Sequence, residues 1–260
     1  GIMTQTSIGD LFIAGIMPAL LLTFLMLSYA IFQNFGHREG KWDIKYILKT
    51  LKNGIWALLM PIIILGGIYT GYFTATESAA VAVVYSIVIE TFIHKEMKFK
   101  LLFNVVSDTT KLLGSLFPVL MIALSLNVFL TYEEVPQSLV AWLSQRIDNP
   151  VSALLGINLF LLLIGCIIDI GSAILILAPM LNPIAESQGI DPIHFGIIMV
   201  MNLEIGYLTP PLGLNLIVAM GVFKESFWTV CKATIPFLII MLVGLMLVSF
   251  VPRIALFMVQ

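Results

Sequence analysis

The sequence predicts an all-α polytopic membrane protein, and three observations carry that prediction. Apolar runs recur too often for a soluble core, the basic residues gather in a few flanking segments, and two long apolar stretches are interrupted midway by polar turns. Of 260 residues 60% are hydrophobic and 11% charged, with a mean hydropathy of +1.05, so the chain carries more apolar surface than a soluble domain of its size can hide. Its solvent is lipid. Several runs have the ~17 to 25 residues that match a hydrocarbon layer of ~30 Å, and none dominates as a lone anchor would. Cys166 and Cys231 lie in separate apolar segments without CxxC spacing, and both read as small core residues rather than a disulfide or metal pair. The opening Gly1–Asp10 lacks the basic flank and cleavage site of a signal peptide, which suggests a segment of a longer polypeptide.

The first span is expected from Leu11 to Phe32. After it, Ile44, Ile47, Leu48 and Leu51 recur at helical spacing while Lys41, Lys45, Lys49 and Lys52 take another face, the pattern of an interfacial helix with Trp42 as a headgroup-level anchor. A second span, Gly54 to Gly71, and a third, Glu77 to Ile93, form a tight hairpin across Tyr72–Thr76. Next comes another surface segment, with Phe99, Leu102, Phe103 and Val106 on one stripe and Lys100, Asn104, Asp108 and Lys111 elsewhere. A fourth span follows over Leu112–Leu130, and then a short amphipathic helix opened by Pro136, bearing Leu139, Trp142, Leu143 and Ile147 and closing at Asp148, Asn149, Pro150.

Beyond Val151 the pattern changes, because the apolar stretch to Ile168 is interrupted at Asp169–Ser172 and resumes as AILILAPMLNPIA. An unbroken helix of that length overshoots a bilayer, so the expectation is two half-membrane helices in a re-entrant hairpin with its tip at Asp169–Ser172. The stretch Pro192–Phe223 is likewise broken at Glu204–Gly213 and reads as a discontinuous helix. A last span covers Ala233–Phe250. Laid out so, eleven of the thirteen Lys and Arg residues fall on one side, leaving Arg146 and Arg253 on the other. The basic residues therefore report topology, with the cytoplasm on the side of the eleven, and not nucleic-acid binding. A hairpin that enters and leaves by one face preserves this parity, whereas a full crossing there breaks it.

Unpaired backbone groups in hydrocarbon cost several kcal/mol each, so a helix broken at mid-depth marks a site lined by protein or water. Carbonyl ends near Ile168 and Glu204 suit a bare cation, and amide ends near Ser172 and Pro211 suit a carboxylate. The side chains at hand are Asp169, Ser172, Glu204, Thr209 and Asn215, with Gly171, Gly206 and Gly213 permitting close backbone approach. This oxygen-rich set suits Na⁺, or protons through Asp169 and Glu204, rather than a transition metal, and offers no nucleophile with a base, no Walker loop and no HExxH pair. Transport fits better than catalysis. Some residues have plainer readings. Glu77 fits a capping box with Thr74 as N-cap, Asn127 fits interhelical hydrogen bonding, His194 a structural role, and the methionines packing or lipid contact. Asp169 has two open readings, helix cap or ion-linked carboxylate, and Glu204, at the unfavourable C-terminal end of a helix, calls for a partner cation or proton.

Four segments, TSIGDLFIAGIMPALLL (Thr6–Leu22), GIYTGYFTATESAAVAVVYS (Gly67–Ser86), DIGSAILILAPMLNPIAESQGIDPIHFG (Asp169–Gly196) and EIGYLTPPLGLNLIVAMG (Glu204–Gly221), occur in order and resemble the large membrane subunit of TRAP transporters. The resemblance implies an elevator-type protein built of two inverted repeats, of which this chain resembles the C-terminal one. Residues 1–147 would then be scaffold and arm helices, 148–223 transport-domain elements (hairpin 150–186, broken helix 191–223), and 224–260 the final transmembrane helix. It implies sodium-driven import of an organic anion across a bacterial inner membrane. The implied partners are the N-terminal repeat, a small membrane subunit and a periplasmic substrate-binding protein, and sialic acid, dicarboxylates and keto-sugar acids all stay open as substrates. It also implies a sodium site at Asp169, Gly171, Ser172, Gly206, Thr209, Pro210 and Gly213, and substrate contacts at Ser172, Thr209, Pro211 and Asn215. Two rivals remain: an elevator symporter that needs no binding protein, and a proton-conducting respiratory subunit using Glu77, Asp169 and Glu204 as a relay. The relay expects carboxylates along continuous helices, and here they sit beside breaks.

Overall fold

The computed structural model describes residues 1–35, 43–134, 138, 141 and 149–259, and among them every regular element is helical. In chain order these are α1 (Ile8–Gln33), α2 (Ile44–Tyr69), α3 (Ala75–Val88) continued by a π-helical turn over Ile89–Ile93, α4 (Phe99–Tyr132), α5 (Pro150–Gly165), α6 (Ile170–Ser187), α7 (Pro192–Tyr207), α8 (Leu214–Phe223), α9 (Phe227–Phe250) and α10 (Arg253–Leu256). Local sequence sets most of the starts. Asp43, Thr74, Asn149, Asp169, Asp191 and Ser226 each cap a helix with a side-chain oxygen on first-turn amides, and proline follows directly at Pro150 and Pro192.

By length and composition α1, α3 with its π turn, α6 and α9 are able to cross a membrane, and α2, bent by 60° after Lys52, makes a fifth candidate among the described residues. By contrast α5 and α8 are apolar but short, 16 and 10 residues, or about 24 and 15 Å at the α-helical rise, and fall short of a bilayer.

The chain divides into two compact units, one of Gly1–Phe32 with Phe117–Gln260 and one of Gln33–Leu116. In the second, α2 and α3 form the expected hairpin. Gly67 lies against the Phe73 ring and Ser78 Oγ, and the Tyr85 hydroxyl donates to the Trp56 carbonyl at 2.7 Å. The Thr74 hydroxyl accepts from the Glu77 N–H at 3.2 Å while Glu77 Oε2 accepts from the Thr74 N–H at 2.8 Å, which is the capping box read from the sequence.

In the first unit α7 is central. Phe195, Met199 and Leu203 pack with Ile157, Leu161, Ala173 and Ile184 of α5 and α6, while Ile198 and Ile205 pack with Leu154, Met241 and Leu245 of α5 and α9. A helix buried on two sides needs apolar residues all round, so it shows little amphipathic signal. A polar ladder runs through this core: Asn202 Nδ2 donates to Asn158 Oδ1 at 2.6 Å and Asn158 Nδ2 to Ser249 Oγ at 3.2 Å. His194, read as structural, is buried and donates from Nε2 to the Val248 carbonyl at 2.8 Å. Cys166 and Cys231 are both buried and unpaired, the core roles expected of them. Outward, large side chains such as Phe24 and Phe223 are about two-thirds or more exposed, as a lipid-facing surface requires.

Four sequence expectations need adjusting. The basic segment before the second span is not a separate helix but the first arm of the bent α2. The surface segment and fourth span form one helix, α4, of 34 residues, because no proline or glycine pair lies between Thr109 and Leu113 to stop propagation. The α2–α3 turn falls at Thr70–Thr74, two residues early, since Thr74 is already the cap. Helix α6 is longer than half a membrane, 18 residues or about 27 Å, because Pro179 and Pro183 lie inside it without ending it. Trp42 and, apart from Ser138 and Ala141, the amphipathic helix expected from Pro136 to Ile147 fall outside the described residues, as does the side chain of Asn127.

Candidate functional site: two helix breaks in contact

Helix α5 stops at Gly165, and Cys166–Asp169 turn the chain into α6. Asp169 is extended at φ −65°, ψ 149°, and its Oδ2 accepts the Ser172 N–H at 2.9 Å. Of the two open readings of Asp169, the structure shows the cap. Ser172 is buried beneath it, and Gly171 is exposed.

Helix α7 stops at Tyr207, later than the Glu204 expected from sequence, and α8 starts at Leu214 rather than near Pro211. The Thr209 hydroxyl donates to the Ile205 carbonyl at 2.8 Å and its N–H to the Gly206 carbonyl at 2.9 Å, so this threonine closes the C-terminus of α7. Pro210 and Pro211, joined by a cis peptide bond, are exposed. Gly213 carries the chain into α8 at φ +55°, a left-handed conformation that glycine adopts without a Cβ penalty. Across the break Asn215 Nδ2 donates to Glu204 Oε1 at 3.3 Å, which leaves the other carboxylate oxygen of Glu204 with room for a further partner.

The two breaks touch. At Gly206 a Cβ would lie 2.5 Å from the Gly165 carbonyl carbon and 2.9 Å from Cys166 N, so backbone meets backbone and only glycine fits. The Gly213 N–H points to the Cys166 carbonyl at 3.5 Å, and the Ile170 N–H donates to the Tyr207 phenol oxygen at 2.6 Å. The contacts across the two breaks thus join Gly165, Cys166 and Ile170 at the tip to Gly206, Tyr207 and Gly213 at the break, with Glu204 and Asn215 bridging the break itself. Of the predicted site residues, Gly206 and Gly213 make these contacts directly, while Asp169, Gly171 and Ser172 lie next to Ile170 in the chain and Thr209, Pro210 and Pro211 lie between Tyr207 and Gly213. Glu77, in the other unit, is engaged in its capping box with Thr74.

Sequence reading misses Gly165 and Tyr207. Gly165 is the last helical residue before the first interruption, and Tyr207 the aromatic residue immediately before Leu208-Thr209-Pro210-Pro211; position next to a break is the signal that finds both. It also misses Asn158 and Asn202, single polar residues in apolar runs, whose burial becomes visible only once three helices are packed.

Apolar spanning helices with short, interrupted helices meeting end to end define a polytopic membrane permease. Residues 1–254 match the family model described as "Tripartite ATP-independent periplasmic transporter, DctM component", and the chain belongs to that family, one of transporter permeases and not of enzymes. Over 97% of its length it is 40% identical to the C4-dicarboxylate TRAP transporter large permease protein DctM of Pseudomonas aeruginosa, covering 60% of that protein. Over 99% of its length it is 37% identical to the isethionate TRAP transporter permease protein DctMQ of Oleidesulfovibrio alaskensis, covering 41% of it. It is also 36% identical, over 99% of its length, to the sialic acid TRAP transporter permease protein SiaT of Haemophilus influenzae, covering 42%. The chain thus spans between about two-fifths and three-fifths of these curated relatives.

Proposed function

We propose that this chain is part of the large permease of a sodium-coupled symporter that imports an organic anion handed over by a periplasmic substrate-binding protein, with the touching helix breaks as its ion and substrate locus. The observation that carries this reading is the contact itself: C-terminal carbonyl ends of α5 and α7 and the N-terminal end of α8 meet at one point in an apolar bundle. Carbonyl dipoles suit Na⁺, and amide ends suit a carboxylate. Sodium would be held by Asp169, Gly171, Ser172, Gly206, Thr209, Pro210 and Gly213, chiefly through backbone oxygen, and the anion would meet Ser172, Thr209, Pro211 and Asn215.

In this reading α5 and α6 form a re-entrant hairpin, and residues 148–223 move as the transport domain of an elevator against scaffold helices in 1–147, with 224–260 as the final transmembrane helix. The chain would act as one inverted repeat beside a second repeat in the same subunit. A small membrane subunit as partner is supported by the fused name DctMQ of one relative. Relatives named for C4-dicarboxylates, isethionate and sialic acid are 40%, 37% and 36% identical, too close together to choose a substrate.

The test is uptake into proteoliposomes containing the full-length permease with its membrane and binding-protein partners. Labelled succinate, isethionate and sialic acid are each supplied in Na⁺ or K⁺ to wild type, Thr209→Ala and Ser172→Ala. Uptake that requires Na⁺ and weakens in either variant is expected. Uptake indifferent to Na⁺, with both variants normal, would mean the breaks are structural only.

A further inference from the structure

Three amides in the first turn of α6 have no helical acceptor of their own, those of Ile170, Gly171 and Ser172. Asp169 takes the last of them from within the hairpin. The Ile170 N–H, however, is taken by a residue 37 positions away, the phenol of Tyr207 at 2.6 Å. Tyr207 is the last residue of α7, directly after Gly206, whose backbone abuts Gly165, and two residues before Thr209, which closes the same helix end. A single side chain on the broken helix thus fixes the far side of the hairpin tip, while the glycine contact fixes the near side.

We propose that Tyr207 is a positioning residue for ion binding: its phenol latches the hairpin tip to the broken helix and so holds the carbonyl ends of α5 and α7 in register. This rests on the reading of the locus as a sodium site. Cation sites built from backbone oxygen tolerate errors of only about 0.5 Å in ligand position. The four-residue turn Cys166–Asp169 is just the kind of segment that drifts without an external tie. Because binding and latch closure are linked, each stabilises the other: sodium tightens the latch, and loss of the latch weakens sodium. Tyr207 need not touch the ion for this to hold. Its neighbours in sequence, Gly206 and Leu208, cannot replace it, since neither offers an acceptor side chain.

The experiment is amide hydrogen exchange on the full-length permease in nanodiscs across a NaCl titration, with KCl keeping ionic strength constant, read in peptides spanning 166–172 and 207–215. Four proteins are compared. Tyr207→Phe removes the acceptor and keeps the ring. Ile170→Pro removes the donor at a first helical position, where proline is well accommodated, so it serves if the phenylalanine variant misfolds. Tyr85→Phe is the control, deleting a similar phenol bond to the Trp56 carbonyl in the α2–α3 hairpin.

In wild type, sodium is expected to slow exchange in both peptides with one common midpoint. In Tyr207→Phe and Ile170→Pro that midpoint rises about three- to tenfold, the worth of one hydrogen bond, while Tyr85→Phe titrates as wild type. Wild-type midpoints in both latch variants would overturn the latch and leave the sodium reading standing. No difference between Na⁺ and K⁺ in wild type would overturn the sodium reading itself.

Discussion

Helices α6 and α8 both begin at the touching breaks, and both bring first-turn amides there, yet their N-termini are finished differently. The start of α6 is closed: Asp169 accepts the Ser172 N–H, and Tyr207 accepts that of Ile170. The start of α8 has no side-chain cap: its N-cap is Gly213, and Asn215 in its first turn donates to Glu204. Sequence alone assigns the two ends the same task of meeting a carboxylate. In the folded chain the α6 end, with two of its three first-turn amides taken by side chains, has become an anchor for the hairpin tip, whereas the α8 end carries no side-chain cap.

That contrast depends on the glycine contact beneath it, so the largest effect is expected there. In Gly206→Ala the new Cβ would fall 2.5 to 2.9 Å from backbone atoms of Gly165 and Cys166, none of which can swing aside as a side chain can. The cost should reach or pass the ~1 to 3 kcal/mol typical of overpacking, seen as a lowered thermal midpoint in detergent and reduced monodisperse yield. A fully stable Gly206→Ala would mean that tip and break do not meet, and the comparison of their helix ends would lose its basis.

Next in size is the closed end. Asp169→Ala removes an N-cap and should lower stability by about 1 kcal/mol, whereas Asp169→Asn, which caps as well, should stay within a few tenths. The pair also separates cap from ligand. If sodium-dependent uptake survives in Asp169→Asn, the carboxylate acts through the helix; if it is lost while stability holds, the charge itself meets the ion.

At the open end the expected effect is on the anion. Asn215→Asp puts a second carboxylate beside Glu204 at the α8 N-terminus and should raise the KM for a dianionic probe such as succinate about three- to tenfold by opposing the helix dipole and repelling the substrate. An unchanged KM in a variant of normal stability would move the anion away from this helix end.

The legibility of this molecule divides along the same line. Helix starts are written locally, and Thr74 with Glu77, or Asp191 before Pro192, can be read from a few residues. Both interruptions are legible because polar, glycine-rich turns in apolar runs have no other explanation in a bilayer. Their lengths are less so: α6 runs through two prolines, and α7 continues one turn past Glu204. Least legible are the joins. That Asn215 reaches Glu204, and that the Ile170 amide is taken by Tyr207, depends on the path of a proline turn in the one case and on packing between segments more than thirty residues apart in the other. No local pattern encodes either.

The smallest effect isolates ligand space from stability. Gly171 lies in the first turn of α6, is exposed, and has no left-handed φ to protect; an added Cβ would meet only Asp169 Oδ2, at 3.3 Å. Gly171→Ala should therefore change stability by no more than about 0.5 kcal/mol, the helix propensity of alanine offsetting a slight shift of the cap. Because the fold barely registers this methyl group, transport becomes a clean readout of what approaches the tip. Normal sodium response in Gly171→Ala would leave the closed end a purely structural anchor. A weakened response at unchanged stability would show that an ion comes within van der Waals reach of the Gly171 backbone, and the two helix ends would then share the locus, one presenting oxygen to the cation and the other amides to the anion.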